Sequence, residues 1–103
     1  MRAVRLSRTF SHQLADYIDA GEQTYGRAVA DAKRRAVMDT IRNVLATTPG
    51  LKRRHPQLDL VLYPIATTPF FIVYDYDDSE LRVLFVFIKG KPLDDINPTS
   101  VEW

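Results

Sequence analysis

Cysteine is absent from this chain, which excludes a disulfide framework and any thiolate metal site. Long apolar runs are absent too: none approaches the ~20 residues that a bilayer span needs. Arg2 and Arg5 interrupt the first residues before the apolar core of an export signal could form. There is no glycine-rich phosphate loop, no nucleophile elbow and no zinc spacing. Two adjacent acids, Asp94 and Asp95, stand without a partnering His or Asp cluster and so make no metal site. Internal repeats and Gly/Ser-rich linkers are also missing, and residues 1–103 are read as a single domain. These absences predict a soluble cytoplasmic domain that needs no cofactor and no metal and does not engage a membrane.

What is present is ordinary globular material, 46% hydrophobic and 26% charged, with a net charge of only +1. The charge is unevenly placed. Residues 1–54 hold eleven Lys/Arg and five Asp/Glu, whereas residues 55–103 hold three and eight, giving halves of +6 and −5. Such a split suits a polyanion, a charged protein partner, or two solvated patches that attract each other in the fold.

The strongest structural signal lies in residues 70–88, FFIVYDYDDSELRVLFVFI. Two apolar runs, Phe70–Tyr76 and Leu81–Ile88, flank Asp77-Asp78-Ser79 and read as a β-hairpin. Alternation puts Phe70, Ile72, Tyr74 and Tyr76 on one face and Phe71, Val73 and Asp75 on the other. In the second run it puts Leu81, Val83, Phe85 and Phe87 together, with Arg82, Leu84, Val86 and Ile88 opposite. Away from the turn both faces are apolar, which predicts central strands covered on both sides.

Ahead of the hairpin, Ala3–Leu6 reads as a short edge strand, and Ser7 supplies a hydroxyl to cap a helix. Phe10, Leu14, Tyr17, Ile18, Gly21 and Tyr25 recur at helical spacing, with Gln13, Asp16, Asp19 and Glu22 on the wet side. Gly26 lets the chain turn back. A second helix is predicted from about Arg27 to Thr47, with Ala30, Val37, Met38, Ile41, Val44 and Leu45 inward and Lys33, Arg34, Arg35 and Arg42 elsewhere. Pro49-Gly50 ends it. Leu51–Gln57 is a basic loop and Leu58–Ile65 a strand, with Pro64 limiting it or placing it at an edge. Val101 and Trp103 anchor a tail that folds back over the sheet. The predicted order is β-α-α-β-β-β-tail: an α+β fold with a short N-terminal strand, a helical hairpin packed on a mostly antiparallel sheet, and a three-stranded meander completing that sheet.

That order, with VRLS at the start, HQLADYID in the first helix, the Tyr25-Gly26 corner, TTPGLKRRHP, FFIVYDYD and ELRVLFVFIKGK, resembles the RelE/ParE superfamily of toxins from type II toxin–antitoxin modules, of the plasmid-stabilisation type. The resemblance spans nearly the whole chain and implies a cognate antitoxin protein that covers the functional surface. It implies two alternative mechanisms. ParE-like members bind and block DNA gyrase without being nucleases; RelE-like members cut mRNA in the ribosome. A third reading is a degenerate, non-toxic interaction domain. A homodimer or a toxin–antitoxin hetero-oligomer would suit a sheet with exposed apolar surface.

RNA cleavage by 2′-hydroxyl attack needs a base, an acid and cations on the phosphate. The cations that the resemblance implies are Lys52, Arg53, Arg54, Arg82, Lys89 and Lys91, with His55 as the only local acid/base. RelE-like members resemble one another in carrying a tail Tyr or His, and here none follows Tyr76; the tail offers Asp94, Asp95 and Glu102 instead. That departure tilts the expectation toward a ParE-like, non-enzymatic toxin. Its target-contacting residues would be Lys52, Arg53, Arg54, Lys89 and Lys91; as a nuclease it would use His55, Arg82, Lys89 and Lys91. His12 is read as a helix-surface residue.

Overall fold

Residues 70–88 form the hairpin that the alternation predicts. In the computed structural model, which describes all 103 residues, β3 (Phe70–Tyr76) and β4 (Glu80–Ile88) pair antiparallel. The connecting turn is tied by Asp77: its carboxylate accepts from the Ser79 and Glu80 N–H groups at 2.8 and 2.9 Å, and its own N–H donates to the Glu80 carbonyl. Around the hairpin stand β1 (Ala3–Leu6), α1 (Arg8–Tyr25), α2 (Arg27–Asp39) and β2 (Val61–Pro64). The sheet order is β1-β4-β3-β2, with β1 parallel to β4 and the other pairs antiparallel. The hairpin strands are therefore central and both short strands are edges. No helix is long and apolar enough to cross a membrane.

The two faces of the sheet are buried by different parts of the chain. Helix residues Phe10, Leu14, Ile18, Val37 and Ile41 pack on Phe70, Ile72, Tyr74, Leu81 and Val83. The opposite face, with Phe71, Val73, Leu84, Phe85 and Phe87, is covered by Leu60 and by Ile96 and Val101 of the tail. At about 25 cal/mol per Å² of apolar area, these two clusters supply most of the drive to fold.

Four details depart from the sequence reading. Alternation places Phe85 and Phe87 with Leu81 and Val83, but they belong to the opposite cluster. The cause is a β-bulge: Val73 pairs with Phe85 and Tyr74 with Val83, leaving Leu84 as the extra residue that shifts the phase by one. Gln13, assigned to solvent, instead accepts from the Val86 N–H at 3.0 Å, on the stretch of β4 that outruns the short β1. The strand predicted at Leu58–Ile65 shrinks to Val61–Pro64, because the chain turns through Asp59 at φ 54 just before it. The second helix ends its α-helical course at Asp39, and Thr40–Leu45 continues as a π-helix, a widened turn that keeps Ile41 and Leu45 inward.

The start of α1 fuses both ends of the chain. Its orphan donors are all satisfied: Ser7 N–H by Val83 O, Arg8 and Thr9 N–H by Glu102 O, and Phe10 N–H by Ser7 Oγ. Ser7 Oγ also donates to the Leu84 carbonyl at 2.6 Å, so one buried hydroxyl caps the helix and holds the bulge. The Trp103 ring lies under the Arg5 guanidinium at 4.8 Å. Gly26, at φ 90, makes the corner between α1 and α2 that a residue with a Cβ would resist.

Candidate functional site

The predicted cations fall at two opposite ends of the sheet rather than in one cluster. β3 has seven residues, so its ends lie roughly 20 Å apart at ~3.3 Å per residue. Arg54 and Arg82 sit at the hairpin-turn end, whereas Lys89 and Lys91 sit at the far end, where Ile88 pairs with Phe70.

At the turn end the arginines are engaged by the fold itself. Arg54 pairs with Asp75 at 2.6 Å, donates to the carbonyls of Asp59 and Tyr76, and stacks on the Tyr76 ring at 4.9 Å. Arg82 contacts Asp75, Asp77 and Glu80 at 3.3, 2.9 and 3.0 Å. The hydrogen bond that Arg54 donates to Asp75 raises its guanidinium above its ordinary value, and those that Arg82 donates to Asp77 and Glu80 do the same for Arg82. Burial works to raise the Asp75 carboxyl. The hydrogen bonds from Arg54, from the Tyr76 N–H and from Arg82 outweigh it and hold that carboxyl below the usual range. Sequence reasoning missed Arg2, which donates to the Asp77 carbonyl at 2.6 Å and places its guanidinium 5.7 Å from the Tyr76 ring centroid. The pairing of Asp75 with Arg82 was readable from the hairpin register; the arrival of Arg2 and Arg54 was not.

His55 is part of the loop's own architecture. Its Nδ1 accepts from the N–H groups of Gln57 and Leu58, both at 3.3 Å, which turns that nitrogen toward the loop's own backbone. Its N–H donates to Leu60 O and its carbonyl takes the Asp59 N–H. Lys52 and Arg53 differ from Arg54: both are exposed, with no side-chain hydrogen bond or ion pair. At the far end, the Lys89 ammonium donates to the Ile65 and Thr68 carbonyls at 3.2 and 2.8 Å, which closes the loop carrying Thr67 at φ 63. The Lys91 ammonium lies over the Phe87 ring at 5.2 Å. His12 is exposed on α1, as predicted.

A large concave surface lies elsewhere, between α1 and α2. This groove of about 800 Å³ has Leu6, Phe10, Leu14, Ile18 and Met38 on its apolar side. Four arginines line it, Arg27, Arg34, Arg35 and Arg42, against two acids, Asp19 and Asp31. Only Arg27 has an ion-pair partner, Asp31 at 4.0 Å, and both are well exposed, so the contact contributes little. Arg34, Arg35 and Arg42 are left without a carboxylate, beside an apolar floor and along roughly 12 Å of helix. Its signal was in the sequence: positions 27, 34, 35, 38 and 42 follow helical spacing and form one stripe next to the buried one. Placing Lys33, Arg34, Arg35 and Arg42 simply away from the inward side overlooked that α1 would form the facing wall.

No protein-family model matches this sequence, and no curated protein matches it. Among solved structures, the chain is similar to one from the chromosomal ParDE TA system of P. aeruginosa, with a TM-score of 0.67 and 17% sequence identity. That alignment covers 85% of this chain and 96% of the other. At such identity the likeness establishes the fold, an α+β arrangement shared over nearly the whole length of both chains.

Proposed function

We propose that this protein is the toxin of a type II toxin–antitoxin pair, that it acts by binding DNA gyrase, and that its antitoxin neutralises it. The observation that carries the reading is the fold shared over 85% of this chain with a chain of a ParDE TA system, together with the sequence resemblance to ParE-like toxins. The α1–α2 groove supplies the antitoxin site: its apolar floor and three unpaired arginines suit an acidic amphipathic helix, which would bring both the apolar face and the missing carboxylates. Exposed Lys52 and Arg53 are the target-contacting residues, with Lys91 at the far end of the sheet; Arg54 and Lys89 serve by holding their loops in place.

A binding toxin is favoured over an mRNA endonuclease by what its polar groups are already doing. Arg54 and Arg82 are neutralised by carboxylates, Lys89 is spent on carbonyls, and the inward nitrogen of His55 is filled by backbone donors.

The test is a supercoiling assay with purified gyrase and the folded chain in excess. Inhibition that an antitoxin reverses is the expected result. Undisturbed supercoiling, with the chain shown to be folded by circular dichroism, refutes gyrase as the target. Codon-phased cuts in translated mRNA, seen by primer extension, would assign the chain to the nuclease mechanism instead.

A further inference from the structure

The α1–α2 groove is not uniformly basic along its length. The two helices run back from the Gly26 corner, so distance from that residue measures position along the groove. Both groove acids stand near the corner: Asp19 lies seven residues before Gly26 and Asp31 five after it, beside Arg27. Beyond them only cations line the groove, Arg34 and Arg35 at eight and nine residues from the corner and Arg42 at sixteen. The corner end therefore carries a local charge of −1, and the rest of the groove, toward β1, carries +3.

This polarity is open to a partner. All six charged side chains are exposed. Asp31 pairs backward with Arg27 at 4.0 Å rather than forward with Arg34 or Arg35, and Asp19 has no ion pair. The apolar surface still within reach lies toward β1: Leu6 and Met38 are half-buried, whereas Phe10, Leu14 and Ile18 are buried. Met38 stands four residues from both Arg34 and Arg42, so one stripe of the helix reads basic, apolar, basic. Distance keeps the two ends separate. Asp31 and Arg42 are eleven residues apart, roughly 16 Å along the helix. That is about twice the ~8 Å over which charge is felt at physiological salt. A partner's charges are therefore met end by end, not by the net charge of the groove.

We propose that the groove reads a helix of split charge. Its acidic half lies against Arg34, Arg35 and Arg42 with an apolar anchor on Leu6 and Met38, and its basic half lies toward the corner. There Asp19 and Asp31 turn away a helix that is acidic throughout. The inference rests on the reading of this groove as the antitoxin site and sharpens it. The arginines supply attraction, and the two acids supply discrimination against the wrong charge pattern.

The experiment titrates two synthetic peptides into the full chain by calorimetry. Both have 18 residues, the length of α1, are capped at both ends and share one apolar stripe. One is glutamate-rich along its whole polar face; the other is glutamate-rich in one half and lysine-rich in the other. The split peptide should bind the wild type about tenfold more tightly, as two repulsive contacts become attractive. Added salt should narrow that margin. The double variant Asp19→Asn/Asp31→Asn should reverse the order, with circular dichroism showing that the fold is kept. A spin label on the acidic end of the split peptide should broaden the amide resonances of Leu6 and Arg42, and one on the lysine end those of Asp19 and Asp31. An all-acidic peptide that binds the wild type as tightly overturns the proposal, as does an order unmoved by the double variant or labels found at the opposite ends. In each of those cases peptide binding in the groove leaves its role as the antitoxin site standing. Binding of neither peptide at about 1 mM overturns that role together with the proposal.

Discussion

Ser7 offers a quantitative test of how the fold is held together. Its hydroxyl accepts from the Phe10 N–H at 2.8 Å and donates to the Leu84 carbonyl at 2.6 Å, and the residue is fully buried. In Ser7→Ala both partners lose their bond where water cannot replace it. Loss of a helix cap costs about 1 kcal/mol, and a stranded buried carbonyl about 1–3 kcal/mol. The sum, about 2–4 kcal/mol, is a large share of the roughly 5–15 kcal/mol that stabilises a domain of this size. It corresponds to a fall in melting temperature on the order of 10–25 °C. Ser7 sits at φ −68, ψ 155, extended backbone that alanine adopts freely, so strain does not confuse the result. Ser7→Gly removes the same hydroxyl and strands the same N–H and carbonyl, so it should fall about as far as alanine. Urea unfolding of the three proteins, with a common slope, reads the loss. If the glycine variant comes within about 0.5 kcal/mol of wild type, the bond to the bulge contributes nothing and the reasoning is refuted.

Two further outcomes follow from the clamps on the basic residues. The Asp75 carboxyl is held below the ordinary carboxylate range, so the unfolded chain binds that proton more readily. The stability it contributes is therefore intact above about pH 4 and drains away as pH falls below that value. Urea midpoints between pH 2 and 6 should fall less steeply for Asp75→Asn, which at pH 7 loses on the order of 1 kcal/mol after solvent screening; parallel profiles would contradict this. Lys89→Met should cost about 1–2 kcal/mol, because two loop carbonyls lose an ammonium donor. Lys91→Met, which gives up only a contact with the Phe87 ring, should cost less than about 1 kcal/mol by the same unfolding assay.

Most of the fold was legible because period and punctuation are local properties. The hairpin, the helix stripe through Phe10, Leu14 and Ile18, the Gly26 corner and the edge position of Ala3–Leu6 all followed from spacing. Where the reading slipped, a contact distant in sequence had intervened. Phe85 and Phe87 changed faces because the bulge at Leu84 is held by Ser7, 77 residues away. Gln13 left the solvent because β1 is too short to pair with Val86.

For function, the sequence by itself determined which residues carry charge, that no cysteine chemistry is available, and that a helical hairpin must lie on the apolar sheet. Only the tertiary structure decided which charges remain free to meet a partner. Arg54 and Arg82 looked as available as Arg34 and Arg35. The first pair folds against Asp75, Asp77 and Glu80, whereas the second is left along a groove that lacks enough acids to answer it. The physical reason is that ion pairing depends on a few ångströms of three-dimensional approach, which residue order along the chain does not specify.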